Sequence, residues 1–205
     1  MSTALSNLGV AYYFMGDYRQ AINYYQQSLI VASEIGDRTV QGIAFGGLGN
    51  VYRSLGEKRQ AIDYYQQQLK ISQEIGDRAR EGLVLSNIGI AYHSLGEYDQ
   101  AINYHQQDLN IAQLIGTRAW EGRALLNLGV VYHSLGDYHQ AINYYQQSLT
   151  IALQIQDRFG EDGVLVNLVN ACYALGEYEK AIEYNQQHLA IVQETLEQMR
   201  RSHSN

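Results

Sequence analysis

Two histidines, four arginines and one cysteine are the residues whose chemistry could matter here, and their spacing says which kind. His93 and His133 lie 40 residues apart, and each precedes Ser-Leu-Gly. Two imidazoles at one register could share a metal. Neighbouring helices pack roughly 8–10 Å apart, however, and no cysteine or paired carboxylate accompanies them, so no metal is expected. The reading is of exposed imidazoles that charge as pH falls through about 6.5. Cys172 is the single cysteine, which rules out an internal disulfide. It has no histidine near it in sequence, and it stands where four other copies of the register carry tyrosine. It therefore reads as a core residue rather than a nucleophile. Arg38, Arg78, Arg118 and Arg158 form a ladder at 40-residue steps. Phosphate-binding loops, zinc-hydrolase motifs and nucleophile elbows are absent. The expectation is a chain that is not an enzyme and carries no cofactor.

Composition narrows the class further. Hydrophobic residues make up 46% of the 205 residues and charged residues 17%, the balance of a folded chain rather than a disordered one. Proline is absent, which suits helices throughout. Net charge is −7 with no basic run, which argues against nucleic acid and anionic membrane as partners. Apolar runs fall far short of a membrane span, and Met1-Ser2-Thr3-Ala4 lacks the pattern of a signal peptide. With one cysteine, the expected compartment is the cytoplasm.

What must position these side chains is a repeat. Gly16, Gly56, Gly96, Gly136 and Gly176 hold one register; Ala21, Ala61, Ala101, Ala141 and Ala181 hold another; Tyr24, Tyr64, Tyr104, Tyr144 and Tyr184 hold a third. Self-similarity at a fixed period sets the architecture. The units run over about 1–36, 37–76, 77–116, 117–156 and 157–199, followed by a polar tail over 200–205. Within the second, Val40, Ile43, Ala44, Leu48, Val51, Tyr52 and Leu55 recur at steps of three and four, which is helical spacing. Gly36 is a stop and Asp37 an N-cap. Asp17/Gln20, Glu57/Gln60, Glu97/Gln100 and Asp137/Gln140 have capping-box spacing. Ten helices are predicted, at about 2–15, 17–35, 38–55, 57–75, 78–95, 97–115, 118–135, 137–155, 158–175 and 177–199, with two-residue turns that force antiparallel neighbours. The first unit lacks an early turn, as expected of a trimmed native start or of a piece cut from a longer protein. The arginine ladder opens the first helix of successive units, where a cation is unfavourable. The preceding Asp and the pairs Arg78/Glu81, Arg118/Glu121 and Arg158/Glu161 should compensate locally.

The repeat resembles the tetratricopeptide repeat (TPR). Leu8-Gly9-x2-Tyr12, Leu48-Gly49-x2-Tyr52, Ile88-Gly89-x2-Tyr92 and Leu128-Gly129-x2-Tyr132 match the first part of that motif, and Ala21-x3-Tyr25, Ala61-x3-Tyr65 and Ala141-x3-Tyr145 the second. Phe45 or leucine replaces the usual Trp, the Pro is missing, and the period is 40 rather than 34. Longer helices joined by Gly-Asp-Arg resemble the Pins/LGN-type repeats of spindle-orientation adaptors. Similar units occur in large bacterial signalling proteins fused to caspase-like or nucleotide-binding modules. The fifth unit departs at Val169, Cys172 and Gln156, as terminal repeats often do.

This resemblance implies an all-α, right-handed superhelical solenoid of five helix-turn-helix repeats. It implies a protein-interaction scaffold whose concave groove, lined by the first helix of each repeat, receives a peptide or helical segment of a partner. The positions carried over are Val10, Tyr13 and Phe14; Asn50 and Arg53; Leu83, Ile90 and His93; Arg123, Leu126, Val130 and His133; and Asn170 and Tyr173, with Ser6, Gly46 and Ser86 beside them. Their helical spacing puts each row on one face. Only Asn50, Arg53, Arg123 and Asn170 are polar anchors of the kind that clamp a carboxylate, and they are scattered. Such a groove suits a segment that buries apolar side chains. Two other readings stand beside this one: a self-associating array stacked end to end as a homo-oligomer, and a sensor or regulatory module of a larger signalling enzyme.

Overall fold

Each period folds as two antiparallel helices joined by a tight turn. The structure, a computed structural model, describes residues 1–202. The helices are α1 (Ser2–Phe14), α2 (Tyr18–Glu34), α3 (Arg38–Ser54), α4 (Lys58–Glu74), α5 (Arg78–Ser94), α6 (Tyr98–Leu114), α7 (Arg118–Leu135), α8 (Tyr138–Gln154), α9 (Arg158–Leu175) and α10 (Tyr178–Ser202). Among the described residues there is no strand, and no helix is long and apolar enough to cross a membrane. The helices form two compact units, Met1–Ile115 with three helix pairs and a second from Gly116 with two.

The helix starts follow from side-chain length. Asp17, Asp37, Asp77, Asp137 and Asp157 each accept a hydrogen bond from the backbone N–H three residues on, at 2.9–3.1 Å. Glu57 and Glu97 make no such bond. The capping boxes expected there do not form, because the extra methylene carries the carboxylate past the N3 amide. At Gly136 the chain turns with φ +81°, which glycine adopts without strain. At the register of Gly36, the turn that leads into the fifth unit has Gln156, which is forced to φ +57°. The expected end of the last helix near 199 is passed. Glu197, Gln198 and Arg200 are good helix formers, no Gly or Pro interrupts them, and α10 continues to Ser202. Of the polar tail, residues 203–205 lie outside the described residues.

Close approach of paired helices rests on glycine against a ring. A Cβ built on Gly49 would stand 2.5 Å from Tyr65 Cδ1, and one on Gly129 equally close to Tyr145 Cδ1. At Gly89 the facing group is His105, one turn beyond Ala101, with Cε1 2.6 Å from the built Cβ. Core clusters form around these rings: Ala61, Ile62, Tyr65, Val84, Ile88 and Ala91 in the first unit, and Ala141, Tyr145, Val164, Leu168 and Ala171 in the second. Burial raises the hydroxyl pKa of Tyr65 and Tyr145 and pushes that of Tyr25 up to about 12. Tyr12, Tyr52, Tyr92 and Tyr132 are half-buried rather than buried. Each stacks on a tyrosine of its own second helix, with centroids 5.2–5.4 Å apart. Cys172 ends that series. It is buried, which raises its thiol pKa, and Tyr184 instead accepts a hydrogen bond from Gln146 Nε2 at 3.0 Å.

Candidate functional site

In the first unit the structure links several of the expected groove residues through tyrosines. Tyr65 donates its hydroxyl to Asn50 Oδ1 at 2.7 Å, which fixes the Asn50 side chain and takes one of the two lone pairs of its carbonyl. Arg53 lies close enough to Tyr65 to pull the hydroxyl pKa down against the larger, upward effect of burial. Tyr13 shares a 3.1 Å hydrogen bond with Ser54 and meets Phe14 edge-on at 5.5 Å. Phe14 is 81% exposed beside it. The result is a polar pair on α3, Asn50 and Arg53, at the hydroxyl of Tyr65 on α4, with the neighbouring Ser54 tied to Tyr13 on α1. Elsewhere on the first helices of this unit, Val10 and Leu83 are exposed while Ile90 and His93 are half-buried. Ser6, Gly46 and Ser86 are buried and do not line a surface. Ser6 instead hydrogen-bonds Ser28 at 2.7 Å, and Gly46 lies against the Gln68 side-chain amide.

In the second unit Leu126 and Val130 rest on the α8–α9 core cluster with part of their surface free. The guanidinium of Arg123 lies 5.9 Å from the ring centroid of Trp120. Asn170 and Tyr173 are exposed, and Tyr173 meets Tyr178 at 5.9 Å.

The two histidines are more enclosed than their sequence context implied. His93 packs on Tyr98 at 5.7 Å and His133 edge-on to Tyr138 at 5.1 Å. Burial lowers the His93 pKa below 6.5. The arginine ladder forms its local pairs: Arg78–Glu81 at 2.6 Å, Arg118–Glu121, and Arg158–Glu161 at 3.1 Å. It also reaches the far end of the paired second helix, 36 residues on, from Arg38 to Glu74, Arg118 to Gln154 and Arg158 to Glu194. That second set is a property of the hairpin and has no local signal. Tyr65 is the site residue that spacing alone missed. The available clue was Gly49: its close approach to the Tyr65 ring sets the hydroxyl beside the next residue, Asn50.

Comparisons with known proteins bear on this arrangement. A tetratricopeptide repeat family model matches residues 1–74 and 79–154, and a second matches 164–199. No curated protein sequence matches the chain. Among solved structures, it is 23% identical to BtubC (BKLC) from P. vanneervenii, with a TM-score of 0.85 over 93% of this chain and 79% of that one. It is 23% identical to the Signal Transduction ATPase with Numerous Domains (STAND) protein with a tetratricopeptide repeat sensor, PH0952, from Pyrococcus horikoshii. The TM-score there is 0.87 over 94% of this chain and 30% of that one. The apo form of RapI is 18% identical, with a TM-score of 0.87 over 96% of this chain and 72% of that one. These likenesses concern the fold; the matched repeats, over most of its length, show that the chain belongs to the tetratricopeptide repeat family.

Proposed function

We propose that this chain is a non-enzymatic interaction module that binds an apolar-faced protein segment along the first helices of its repeats. The observation that carries the reading is Asn50 and Arg53 gathered at the Tyr65 hydroxyl, with the next residue, Ser54, bonded to Tyr13. An amide donor and a guanidinium fork flank an aromatic surface, which suits a segment offering a carboxylate or backbone carbonyl next to a buried side chain. Leu83, Ile90 and His93 extend that surface in the first unit; Leu126, Val130, His133 and Tyr173 offer similar groups in the second. The net charge of −7 favours a partner with little acidic character of its own. A cytoplasmic setting suits a chain with one buried cysteine. Capture of a partner followed by crosslink mapping tests the reading: crosslinks should fall on α1, α3 and α5. Crosslinks confined to Gln26, Gln66 and Gln67, all exposed on second helices, would overturn it.

A second reading is favoured by the likeness to the STAND protein, whose repeat sensor is part of a chain of which this one covers 30%. Here the same surface would serve as the sensing part of a larger regulatory protein. A reading frame that continues into a nucleotide-binding module supports it; one that does not counts against it.

A further inference from the structure

A cavity of about 430 Å³ opens in the second unit between α7, α8 and α9. Leu126, Ile151, Ile155 and Val164 make it largely aliphatic, and the rings of Trp120 and Phe159 also line it. Its origin lies in the repeat. In the first unit the register of Gly160 is held by Arg80, 80 residues earlier. Arg80 Nη1 stands 3.9 Å from a Cβ built on Gly42, beside Ile71. Gly42 and Ile71 are the counterparts of Gly122 and Ile151, which line the cavity. An arginine side chain thus fills in the first unit the space that Gly160 leaves open in the second.

The cation of this cavity is Arg123, on the α7 wall. Its Nε and Nη2 are buried and have no hydrogen-bond acceptor among the described residues. A buried charged donor without an acceptor is costly and calls for one. Asp157, on the α9 side, accepts at Oδ1 a hydrogen bond from the Gly160 N–H at 2.9 Å and places a negative charge there. We propose that the cavity is a binding site for a small amphiphilic carboxylate. Its carboxylate oxygens take the N–H donors of Arg123 on the α7 wall in fork geometry, and its apolar body lies against the aliphatic side chains of α8 and α9. The volume is that of a small-molecule site. The cavity shares Leu126 with the surface proposed for segment binding, but a small carboxylate and a protein segment are assayed separately, so either reading can fail alone.

Trp120 is the only tryptophan in the chain, so its emission reports on the cavity directly. The full chain is titrated with sodium octanoate and with 1-octanol, its uncharged counterpart, following emission and heat. One saturable site for octanoate is expected, at least about tenfold tighter than for 1-octanol. In Arg123→Gln the two ligands should bind alike. Gly160→Arg, which restores the first unit's filling, and Ala119→Phe, at an exposed position on the cavity rim, should both abolish octanoate binding. If Gly160→Arg does not fold, Ala119→Phe decides. Non-saturating binding, equal affinities for the two ligands in the parent chain, an unchanged preference in Arg123→Gln, or octanoate binding in a folded plugged variant would each overturn the proposal.

Discussion

The same chemical change, Gly to Ala, should have opposite effects at two helical positions of the second unit. Gly163 lies mid-helix in α9, exposed, with nothing within 4 Å of a built Cβ. Alanine there gains helix propensity of about 0.8–1 kcal/mol and meets no obstacle. Gly129 lies in α7 with Tyr145 Cδ1 2.5 Å from its built Cβ, and the ring is only 1% exposed, so it cannot retreat into solvent. Alanine there makes the same propensity gain but adds overpacking of about 1–3 kcal/mol. The propensity gain cancels in the difference between the variants, leaving the overpacking alone. At about 2–4 °C per kcal/mol for a chain of this size, the two melting temperatures should differ by roughly 2–12 °C. Gly163→Ala should lie above the parent and Gly129→Ala level with it or below. Thermal melts followed by circular dichroism at 222 nm measure this. Equal shifts would refute the claim that the ring sets the approach of α7 to α8.

Three further outcomes follow from particular residues. Gln156→Gly should stabilise the second unit by about 1–2 kcal/mol in urea unfolding, because it relieves a left-handed backbone at a non-glycine residue. Asp137→Ala should cost about 1 kcal/mol in the same assay, whereas Glu57→Ala, at a start without a side-chain cap, should stay within about 0.5 kcal/mol. Burial depresses the folded pKa of His93, so between that value and about 6.5 the unfolded chain binds the proton more readily. The stability this contributes is present above about pH 6.5 and is lost as pH falls through the folded pKa. Urea midpoints in His93→Gln should therefore decline less steeply below that pH than in the parent.

Periodicity made the ten helices, their pairing and the core glycines legible in advance, because each depends on residues three to five apart or on a register repeated every 40. What stayed hidden depends on contacts across the hairpin. The reach of Arg38 to Glu74 and of Arg158 to Glu194 needs the hairpin closed before it exists. So does the bond from Tyr65 to Asn50, which orients the Asn50 amide. Spacing also gives Tyr12, Tyr52, Tyr92 and Tyr132 the pattern of core positions, while stacking on Tyr24, Tyr64, Tyr104 and Tyr144 leaves them half-buried. The cavity beside Gly160 is visible only once Arg80 is seen occupying the equivalent space.

The most direct test of the central claim compares two double variants against one captured partner. Asn50→Ala with Arg53→Ala removes the polar pair at the Tyr65 hydroxyl, and Gln66→Ala with Gln67→Ala changes an equal number of exposed residues on α4. Interfaces concentrate their energy in few residues. Binding isotherms, with melting curves unchanged, should show the first pair weakening the partner at least about tenfold, or 1.4 kcal/mol, and the second leaving it unaltered. Loss of binding in the Gln66/Gln67 variant with full binding in the Asn50/Arg53 variant would place the partner on the second helices and contradict the account.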